Sequence, residues 1–188
     1  MDGFGGVWGF CGGWAIDLAI GRRTRPHKDV DVALLRREQA AFYEHMRLQG
    51  WTLEAVRDGR AYRWDGSNLP PPVHEIWCRR AAGEPSGFEA LLNESEGADL
   101  LFRRERSVRL PLAAAFRVST SGLPVLAPEV VLLYKAKEPD DEANRRDFGN
   151  VLPGLGAAQR KWLQGALRTV SPDHEWLRVL REDAAGAT

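Results

Sequence analysis

The sequence predicts an α+β fold, a mixed β-sheet flanked by helices and followed by a helical C-terminal portion. A strand pattern at residues 29–35 is followed directly by an amphipathic helix pattern. Residues 51–105 contain short strand-like runs separated by Gly, Pro, Ser and Asp, and helical patterning dominates after residue 124. The 188 residues therefore divide into an α/β core, 1–124, and a helical portion, 125–188, packed on it, together short enough for one compact domain.

The first predicted elements are a glycine turn, a short helix, a strand and a longer helix. In GGWAIDLAIG, residues 12–21, two glycines precede a helix-compatible run and a third follows it, which predicts a turn and a two-turn helix. DVDVALL, residues 29–35, alternates charged and apolar residues and then becomes wholly apolar, as a strand does. Residues 36–50 predict an amphipathic helix with these apolar positions: Phe42, Met46 and Leu48.

The rest of the chain is predicted to form a meandering sheet and then helices. The strand candidates are WTLEAV (51–56), AYRW (61–64), VHEIWCR (73–79), FEALLNE (88–94) and LLFRRE (100–105). Pro128 stands at a helix-opening position, and the helix candidates are residues 128–137, 142–152 and 157–170. The last residues, 182–188, are expected to fray.

Charge and cysteine content exclude several classes of function. Lys and Arg number 26 and Asp and Glu number 26, so no global field draws the chain to nucleic acid or to a membrane, and any anion is bound locally. Cys11 and Cys78 form no C-x-x-C pair, which argues against a zinc site or a disulfide and favours a reducing compartment. The glycine-interrupted start carries Asp17 and no basic segment, so neither a signal peptide nor a membrane span is predicted and a cytoplasmic protein is expected.

Two acidic residues interrupt the predicted strand at residues 29–35. On a strand, Asp29 and Asp31 project from one face, where parallel carboxylates repel each other and burial increases the cost. A cation between them removes this repulsion, and hard oxygen ligands favour Mg²⁺, which is held by one or two carboxylates plus substrate phosphates. For an isolated D-x-D pair, the alternative is two solvated aspartates that pair with a neighbouring Arg or Lys.

The residues before this acidic pair favour a bound phosphate. Gly12 and Gly13 lead into a helix, so their backbone N–H groups can approach a phosphate without a Cβ in the way. The loop that follows carries four side chains able to meet a triphosphate: Arg22, Arg25, His27 and Lys28. Glycine turn, basic loop and carboxylates together predict a site for phosphate and Mg²⁺.

The segment CGGWAIDLAIGRRTRPHKDVDVALL, residues 11–35, resembles the signature of the nucleotidyltransferase superfamily, specifically its aminoglycoside 2″-adenylyltransferase-like and lincosamide nucleotidyltransferase-like branch. Those proteins carry a G-G-W-A-I-D segment, a G-R-x-T-R-x-H loop and then D-[VI]-D. A looser similarity runs from APEVVLLYKAK, residues 127–137, to the RDF triplet at 146–148. Such proteins generally have a helix before the glycine pair, and MDGFGGVWGF, residues 1–10, is too glycine-rich to form it well.

The resemblance implies transfer of a nucleoside monophosphate, AMP from ATP in the expected case, to a hydroxyl of a small molecule such as an aminoglycoside or lincosamide antibiotic. It implies that Asp29 and Asp31 hold Mg²⁺ and that Gly12 and Gly13 cradle the β- and γ-phosphates. Two alternatives stay open. One is an antitoxin-like or regulatory protein of this fold that acts on a protein partner, and the other is a nucleotide-binding protein without turnover.

The resemblance also implies a third carboxylate on an adjacent strand, as a metal ligand or as the base that takes the acceptor's proton. Glu75, which interrupts the apolar run VHEIWCR, is the candidate for both roles, and Glu89 is the reserve. On a helix, Lys135 and Lys137 point about 200° apart, so only one reaches the cleft. Lys135 is the candidate for contact with nucleotide phosphate, and two solvated lysines are the alternative.

Three further residues have structural interpretations beside the functional ones. Asp17 is expected to pair with Arg22 or Arg25 and thereby to position the basic loop. His27 contacts phosphate or hydrogen-bonds an aspartate. Asp147 is expected to tie helices together rather than to bind an antibiotic.

Overall fold

The computed structural model describes residues 1–83 and 85–185 and confirms the predicted α+β class. The first elements in the chain are β1 Trp8–Phe10, α1 Gly12–Ile20, β2 Asp31–Leu35, α2 Gln39–Leu48, β3 Thr52–Arg57, β4 Arg60–Arg63, β5 Glu75–Arg79 and β6 Gly87–Glu96. They are followed by β7 Asp99–Leu101, β8 Arg109–Pro111, α3 Leu112–Ala115, β9 Phe116–Val118, β10 Pro124–Leu126, α4 Pro128–Lys135, α5 Glu142–Val151, α6 Ala157–Val170 and α7 Trp176–Ala185. Within these elements, no helix is long and apolar enough to cross a bilayer.

The sheet has the strand order β4-β3-β5-β6-β2-β1-β10-β9, and β7 and β8 extend it from β6. The predicted meander is met only in part: β3 pairs antiparallel with β4, and β5 with β6, but β5 pairs with β3 instead of β4, which lies at the sheet edge. β2 lies beside β6 in parallel, with Asp31 opposite Glu89, and antiparallel to β1 on its other side. The strand that carries Asp31 is therefore in the middle of the sheet.

The two faces of the sheet are covered by different helices. Ala33 and Leu35 of β2 belong to the core formed with α1 and the helices from α4 to α7, whereas Val32 and Leu34 belong to the core formed with α2. This split follows from the two-residue period of a strand. Among the described residues, the first core contains none from β3, β4 or β5, so that face of the sheet is covered by helices only on the β2 side.

Helix α2 confirms two of its three predicted core positions. Phe42 and Met46 are 0% exposed, whereas Leu48 is 76% exposed, so the prediction for Leu48 is wrong. Residues two positions apart on a helix are rotated by about 200° about its axis, so Leu48 points to the side opposite Met46.

The helices were easier to predict than the strand ends. Gly21 ends α1 at φ 79°, and Pro128 opens α4, both as predicted. The predicted strand at 29–35 is two residues too long, because β2 begins at Asp31. The run LLFRRE leaves the sheet after Leu101, where Glu105 N donates to Phe102 O in a turn.

Several short segments had no pattern long enough to predict. β1, β8, β9 and β10 have three residues each, below the length at which alternation can be recognised. The boundary drawn between residues 124 and 125 lies inside β10. The backbone is helical to Ala185, and residues 186–188 of the segment expected to fray lie outside the described part of the chain.

Candidate active site

The glycine turn and the start of β2 are in direct contact. Cys11 N donates to Asp31 O at 2.9 Å, so the residue before α1 continues the pairing of β1 with β2. Gly12 has φ +59°, and a Cβ placed there would collide with the Asp31 carboxylate. A Cβ at Gly13 would collide with the His27 ring and the Arg25 guanidinium. Only glycines allow the carboxylate and the basic loop to approach the first turn of α1 this closely.

The two aspartates of the D-x-D pair differ in their surroundings. Asp31 is half-buried at the start of β2, and burial and then the charge of Asp29 raise the pKa of Asp31 to about 6. Asp29 is exposed and precedes the strand, where its backbone oxygen accepts from Trp14 Nε1 at 3.0 Å. The two residues are thus not consecutive same-face positions of one strand, but their charges still interact.

Both candidates for the third carboxylate lie near Asp31. Glu89 on β6 is in register with Asp31, and Glu75 lies one strand further away, on β5, opposite Leu91. Burial and then the charge of Glu75 raise the pKa of Glu89 to about 7. Glu75 accepts a hydrogen bond from Trp77 Nε1 at 2.5 Å. The reserve candidate is therefore the direct neighbour of Asp31, and the first candidate stands beside it.

These carboxylates fit a cation that takes some of its ligands from the protein and the others from a substrate. No three His, Cys, Asp or Glu side chains within residues 1–83 and 85–185 form a ready-made metal site. The pKa values of Asp31 and Glu89 are nevertheless raised, first by burial and then by the negative charge of neighbouring carboxylates. Mg²⁺ is commonly held by one or two carboxylates with water and phosphate oxygens in its other positions, so a site that includes Asp29 and Asp31 would need no third protein ligand.

Asp17 holds the basic loop in place, although not through the predicted arginines. Its carboxylate accepts from Thr24 N at 3.0 Å and Thr24 Oγ1 at 2.5 Å, and His27 Nε2 lies 2.5 Å from its other oxygen. The expected pairing with Arg22 or Arg25 is wrong, because Thr24 and His27 fill this position. Burial alone would raise the pKa of Asp17, but the hydrogen bonds from Thr24 and His27 outweigh it and lower that pKa.

Arg25 and Lys135 meet on a buried aspartate. Arg25 Nε and Nη2 lie 3.0 and 2.9 Å from the two carboxylate oxygens of Asp147, and Lys135 Nζ lies 3.0 Å from one of them. Asp147 is 0% exposed, and its hydrogen bonds raise the pKa of Arg25. The group carries one net positive charge and joins the basic loop to α4 and α5, the tying role expected for Asp147.

The other candidate cations are more exposed. Arg22 and Lys28 lie at the surface of the loop. The Lys137 side chain is 64% exposed and lies 3.6 Å from Glu138, whereas that of Lys135 is 15% exposed. The positive charge of Lys135 also lowers the pKa of Asp31, against the effect of burial. Lys135 is therefore the lysine of this helix end that faces the carboxylates.

A cavity of about 350 Å³ adjoins the carboxylates, between the sheet and α4. Its wall includes Ala33 and Leu91, which follow Asp31 and Glu89 by two residues on the same face. The other lining residues are Cys11, Gly12, His74, Leu92, Asn93, Arg103, Arg104, Leu126, Val131, Tyr134, Lys135, Lys137, Glu138 and Asn144. This volume is in the range of small-molecule sites, about 300–1,000 Å³.

Residues 2–64 match the model of a family described as aminoglycoside-2″-adenylyltransferase. A comparison with curated protein sequences finds no significant match. Among solved structures, the chain is similar to the lincosamide antibiotic adenylyltransferase LnuA with bound lincomycin, at 15% identity and TM-score 0.52, covering 77% of this chain and 85% of that one.

The chain is also similar to two structures of ANT(2″)-Ia. The solution structure of this antibiotic-resistance factor has 15% identity and TM-score 0.55, covering 86% of this chain and 82% of that one. The crystal structure with adenylyl-2″-tobramycin has 16% identity and TM-score 0.53, covering 86% and 87%. At such identities the neighbours establish a shared fold, and with the matched residues 2–64 they confirm the resemblance drawn from residues 11–35. The chain thus has the fold of these nucleotidyltransferases, and its first third matches the aminoglycoside-2″-adenylyltransferase family model.

Proposed function

We propose that this protein is a Mg²⁺-dependent nucleotidyltransferase that transfers a nucleoside monophosphate from an NTP to a hydroxyl group of a small molecule. The observation that carries this proposal is the placement of Asp31 and Glu89 in register on neighbouring strands, next to the glycine turn that opens α1. ATP is the donor that the resemblance implies, and aminoglycosides and lincosamides are the acceptor classes.

The phosphate end of the NTP is assigned to the glycine turn. The first backbone N–H groups of α1, from Gly12 and Gly13 onward, have no partner within the helix, and the helix dipole favours an anion there. Lys135 and Arg25 add the net positive charge of their group with Asp147. Arg22, His27 and Lys28 stay candidates for further phosphate contacts.

Asp29 and Asp31 are the proposed metal ligands. When bound, Mg²⁺ would offset charge that develops on the phosphates during transfer. Glu75, the first choice as third carboxylate, raises the pKa of both Asp31 and Glu89 through its charge. It therefore adds to the negative charge that favours a cation here.

Glu89 is the better placed of the two glutamates to act as the base. With a pKa of about 7 it is partly ionised at neutral pH and able to accept a proton. The acceptor's O–H proton passes to the Glu89 carboxylate while its oxygen bonds to the α-phosphorus. The bond from the α-phosphorus to the bridging oxygen breaks, and pyrophosphate leaves with that electron pair.

The acceptor is assigned to the part of the sheet beyond Glu89. Glu54 is in register with Trp77, and Trp77 with Glu89, so the three side chains share one face with Glu75. These side chains are half-buried, and the glutamates make this face acidic. Arg79 lies 3.7 Å from Glu54 and neutralises only part of this negative charge. The Arg79 guanidinium already lies 4.8 Å from the centre of the Trp77 ring, so it is the acidic surface that favours a hydroxylated, cationic molecule such as an antibiotic of the classes named above.

A pyrophosphate-release screen tests the proposal. The four NTPs are offered with Mg²⁺ and a panel of aminoglycosides and lincosamides to wild type, Asp31→Asn, Glu89→Gln and Glu75→Gln. Asp58→Asn, an exposed aspartate of the β3–β4 turn, is the matched control. We expect Asp31→Asn to abolish release, and Glu89→Gln to reduce it more than Glu75→Gln does, with the control unaffected.

The same screen separates the alternative functions. Radiolabelled nucleotide transferred to a polypeptide rather than to a drug identifies a protein-modifying enzyme. NTP binding in calorimetry without pyrophosphate release for any acceptor identifies a nucleotide-binding protein without turnover. Undiminished turnover by Asp31→Asn refutes the proposed mechanism.

A further inference from the structure

The cavity beside the carboxylates has an apolar floor that begins next to the proposed phosphate site. Leu91 of this floor follows Glu89 by two residues, which places it about 6.6 Å further along the same face of β6. Across the sheet, Leu91 is in register with Glu75, and the residue before Glu75, His74, also lines the cavity. A nucleotide with its α-phosphate at Asp31 and its other phosphates at the glycine turn has its nucleoside within reach of this cavity.

The loop that carries His74 is held in place by a buried arginine. Arg36, directly after β2, is 9% exposed and donates from Nη1 to Leu69 O at 2.7 Å and to Val73 O at 2.6 Å, on either side of the three prolines. Its Nε donates to Glu94 at 2.5 Å, which fixes the guanidinium and offsets its charge. The chain thus positions the residue that follows Val73 with a network of buried hydrogen bonds.

His74 offers a hydrogen-bond acceptor to the cavity. Its Nδ1 lies 2.9 Å from Pro72 O, and because a carbonyl oxygen only accepts, Nδ1 carries the proton and Nε2 has the lone pair. Burial and then the charge of Arg103 lower the pKa of His74, and they outweigh the hydrogen bond to Pro72, which raises it. Among the described residues, no group is bonded to Nε2. The neutral ring therefore has Nε2 available for an N–H group of a ligand.

A hydrogen-bond donor stands near this acceptor. Arg103 lines the same cavity, and its charge acts on both His74 and Arg104. Within residues 1–83 and 85–185, the Arg103 guanidinium makes no hydrogen bond or ion pair. Arg104, in contrast, donates to Tyr134 O at 3.0 Å and lies over the Tyr134 ring. A ligand at this end of the cavity thus meets one acceptor and one donor that the protein itself does not use.

The other side-chain acceptors of the cavity are already in use. Asn93 Oδ1 accepts from Tyr134 Oη at 3.1 Å, and Asn144 Oδ1 accepts from Lys135 Nζ at 3.0 Å. Glu138, the one carboxylate among the described lining residues, has a side chain that is 69% exposed and lies 3.6 Å from a lysine. His74 Nε2 is therefore the half-buried acceptor that is left for a bound base.

We infer that this cavity binds the adenine of the ATP donor and that His74 and Arg103 recognise its amino edge. His74 Nε2 accepts from the N6 amino group, and Arg103 donates to an adjacent ring nitrogen, N1 or N7. The inference rests on the proposed function, in which ATP is the donor. Hypoxanthine and guanine carry a carbonyl oxygen at position 6, so the same pose would set two acceptors, O6 and Nε2, against each other. His74 is thus a specificity-determining residue that disfavours 6-keto purines.

Calorimetric titration of the full chain with Mg²⁺ tests this recognition. The ligands are the α,β-methylene triphosphates of adenosine, of purine riboside, which has no group at position 6, and of inosine, which has an oxygen there. We expect purine riboside to bind about tenfold more weakly than adenosine, because the N6 hydrogen bond is lost, and inosine to bind more weakly still. An affinity for the adenosine analogue no higher than for either of the others overturns the inference. This comparison needs only the wild-type protein.

His74→Phe keeps a ring in the loop and removes the acceptor. We expect it to weaken the adenosine analogue about tenfold and to abolish its advantage over purine riboside. The matched control is His45→Phe, on α2 and outside the cavity lining, which keeps that advantage. An unchanged advantage in His74→Phe refutes the role of His74.

Inorganic tripolyphosphate distinguishes a base contact from a phosphate contact. It lacks a base, so His74→Phe and Arg103→Met leave its affinity within about twofold while each weakens the adenosine analogue about tenfold. Equal weakening of both ligands places these residues on the phosphates and refutes base recognition. Failure of tripolyphosphate and all three analogues to bind refutes the proposed function itself, whereas equal binding of the three analogues refutes only the recognition of adenine.

Discussion

Replacing Asp147 by Asn tests the buried ion group that joins the basic loop to the C-terminal helices. Asp147 is 0% exposed, and its carboxylate contacts both Arg25 and Lys135 at 2.9 to 3.0 Å. The substitution keeps one acceptor oxygen but leaves two cations without a counter-charge. Removing one partner of a buried ion pair costs about 3–5 kcal/mol. Because the Arg25 and Lys135 side chains are 16% and 15% exposed, water screens part of the charge, and we expect a loss of about 3 kcal/mol.

Urea unfolding followed by circular dichroism measures this loss. A loss of about 3 kcal/mol corresponds to a fall in Tm of about 6–12 °C for a domain of this size. Glu142→Gln is the control, because Glu142 is 79% exposed and its pair with Arg146 is a surface pair worth about 0.3–0.5 kcal/mol. Arg25→Met leaves the carboxylate paired with Lys135, so it costs less than Asp147→Asn. A loss below about 1 kcal/mol for Asp147→Asn refutes the assignment of Asp147 as the buried counter-charge.

Three other predictions follow from burial, charge and backbone conformation. The raised pKa of Glu89 means that the ligand-free folded state binds more protons than the unfolded state from about pH 4 to pH 7. The free energy of unfolding therefore falls as pH rises through this window. Glu89→Gln reduces this dependence on pH, as measured in urea titrations. Gly12→Ala loses NTP binding in calorimetry, because its Cβ displaces the Asp31 carboxylate. Gly50→Ala is the control: Gly50 has φ +78° and nothing lies within 4 Å of an added Cβ. This variant loses only about 1–2 kcal/mol of unfolding free energy, the backbone cost of a left-handed residue. Phe42→Ala costs about 3–5 kcal/mol in urea unfolding, and Leu48→Ala changes stability by about 0.5 kcal/mol or less, because only the first is buried. These assignments would be contradicted by a free energy of unfolding that does not change with pH, by intact NTP binding in Gly12→Ala, or by equal losses of stability in Phe42→Ala and Leu48→Ala.

Local patterns predicted most of the helices because their signals lie within one element. Glycine at the end of α1 and Pro128 at the start of α4 act on the backbone within a turn of their own position. The local pattern at residues 29–35 likewise predicts a strand correctly, except for its first two residues. Asp29 and Val30 alternate as a strand does, but the pairing of β2 with β6 in the sheet begins at Asp31 opposite Glu89. The extent of a strand depends on its partners, which are remote in sequence.

The choice between Glu75 and Glu89 shows the same limit. Both interrupt apolar strand patterns, so the preference for Glu75 over Glu89 in the sequence analysis has no support from local signal alone. Register distinguishes their positions, because Glu89 stands opposite Asp31 and Glu75 opposite Leu91, and our proposal of Glu89 as the base rests on that difference. Register is set by the pairing of β5, β6 and β2, and the signal for it is spread over three segments.

Arg103 and Arg104 were assigned to a strand because LLFRRE continues an apolar run. The chain instead turns after Leu101, which places both arginines at the end of the cavity. The local signal that was available is the charge itself, since two consecutive arginines after an apolar run have no apolar face to continue.

The two blocks of resemblance, residues 11–35 and residues 127–148, build one site between them. The first block supplies the glycine turn, the basic loop and the aspartates, but Arg25 of its loop is held by Asp147, 122 residues away. The second block supplies Asp147 together with Lys135, whose charge acts on Asp31 of the first. A cation on the loop without Asp147 would be free to leave the phosphate end of the site, and a buried Asp147 without the loop would lack part of its counter-charge. The C-terminal helices are therefore part of the proposed phosphate site, and truncating them would remove Lys135 and the carboxylate that holds Arg25.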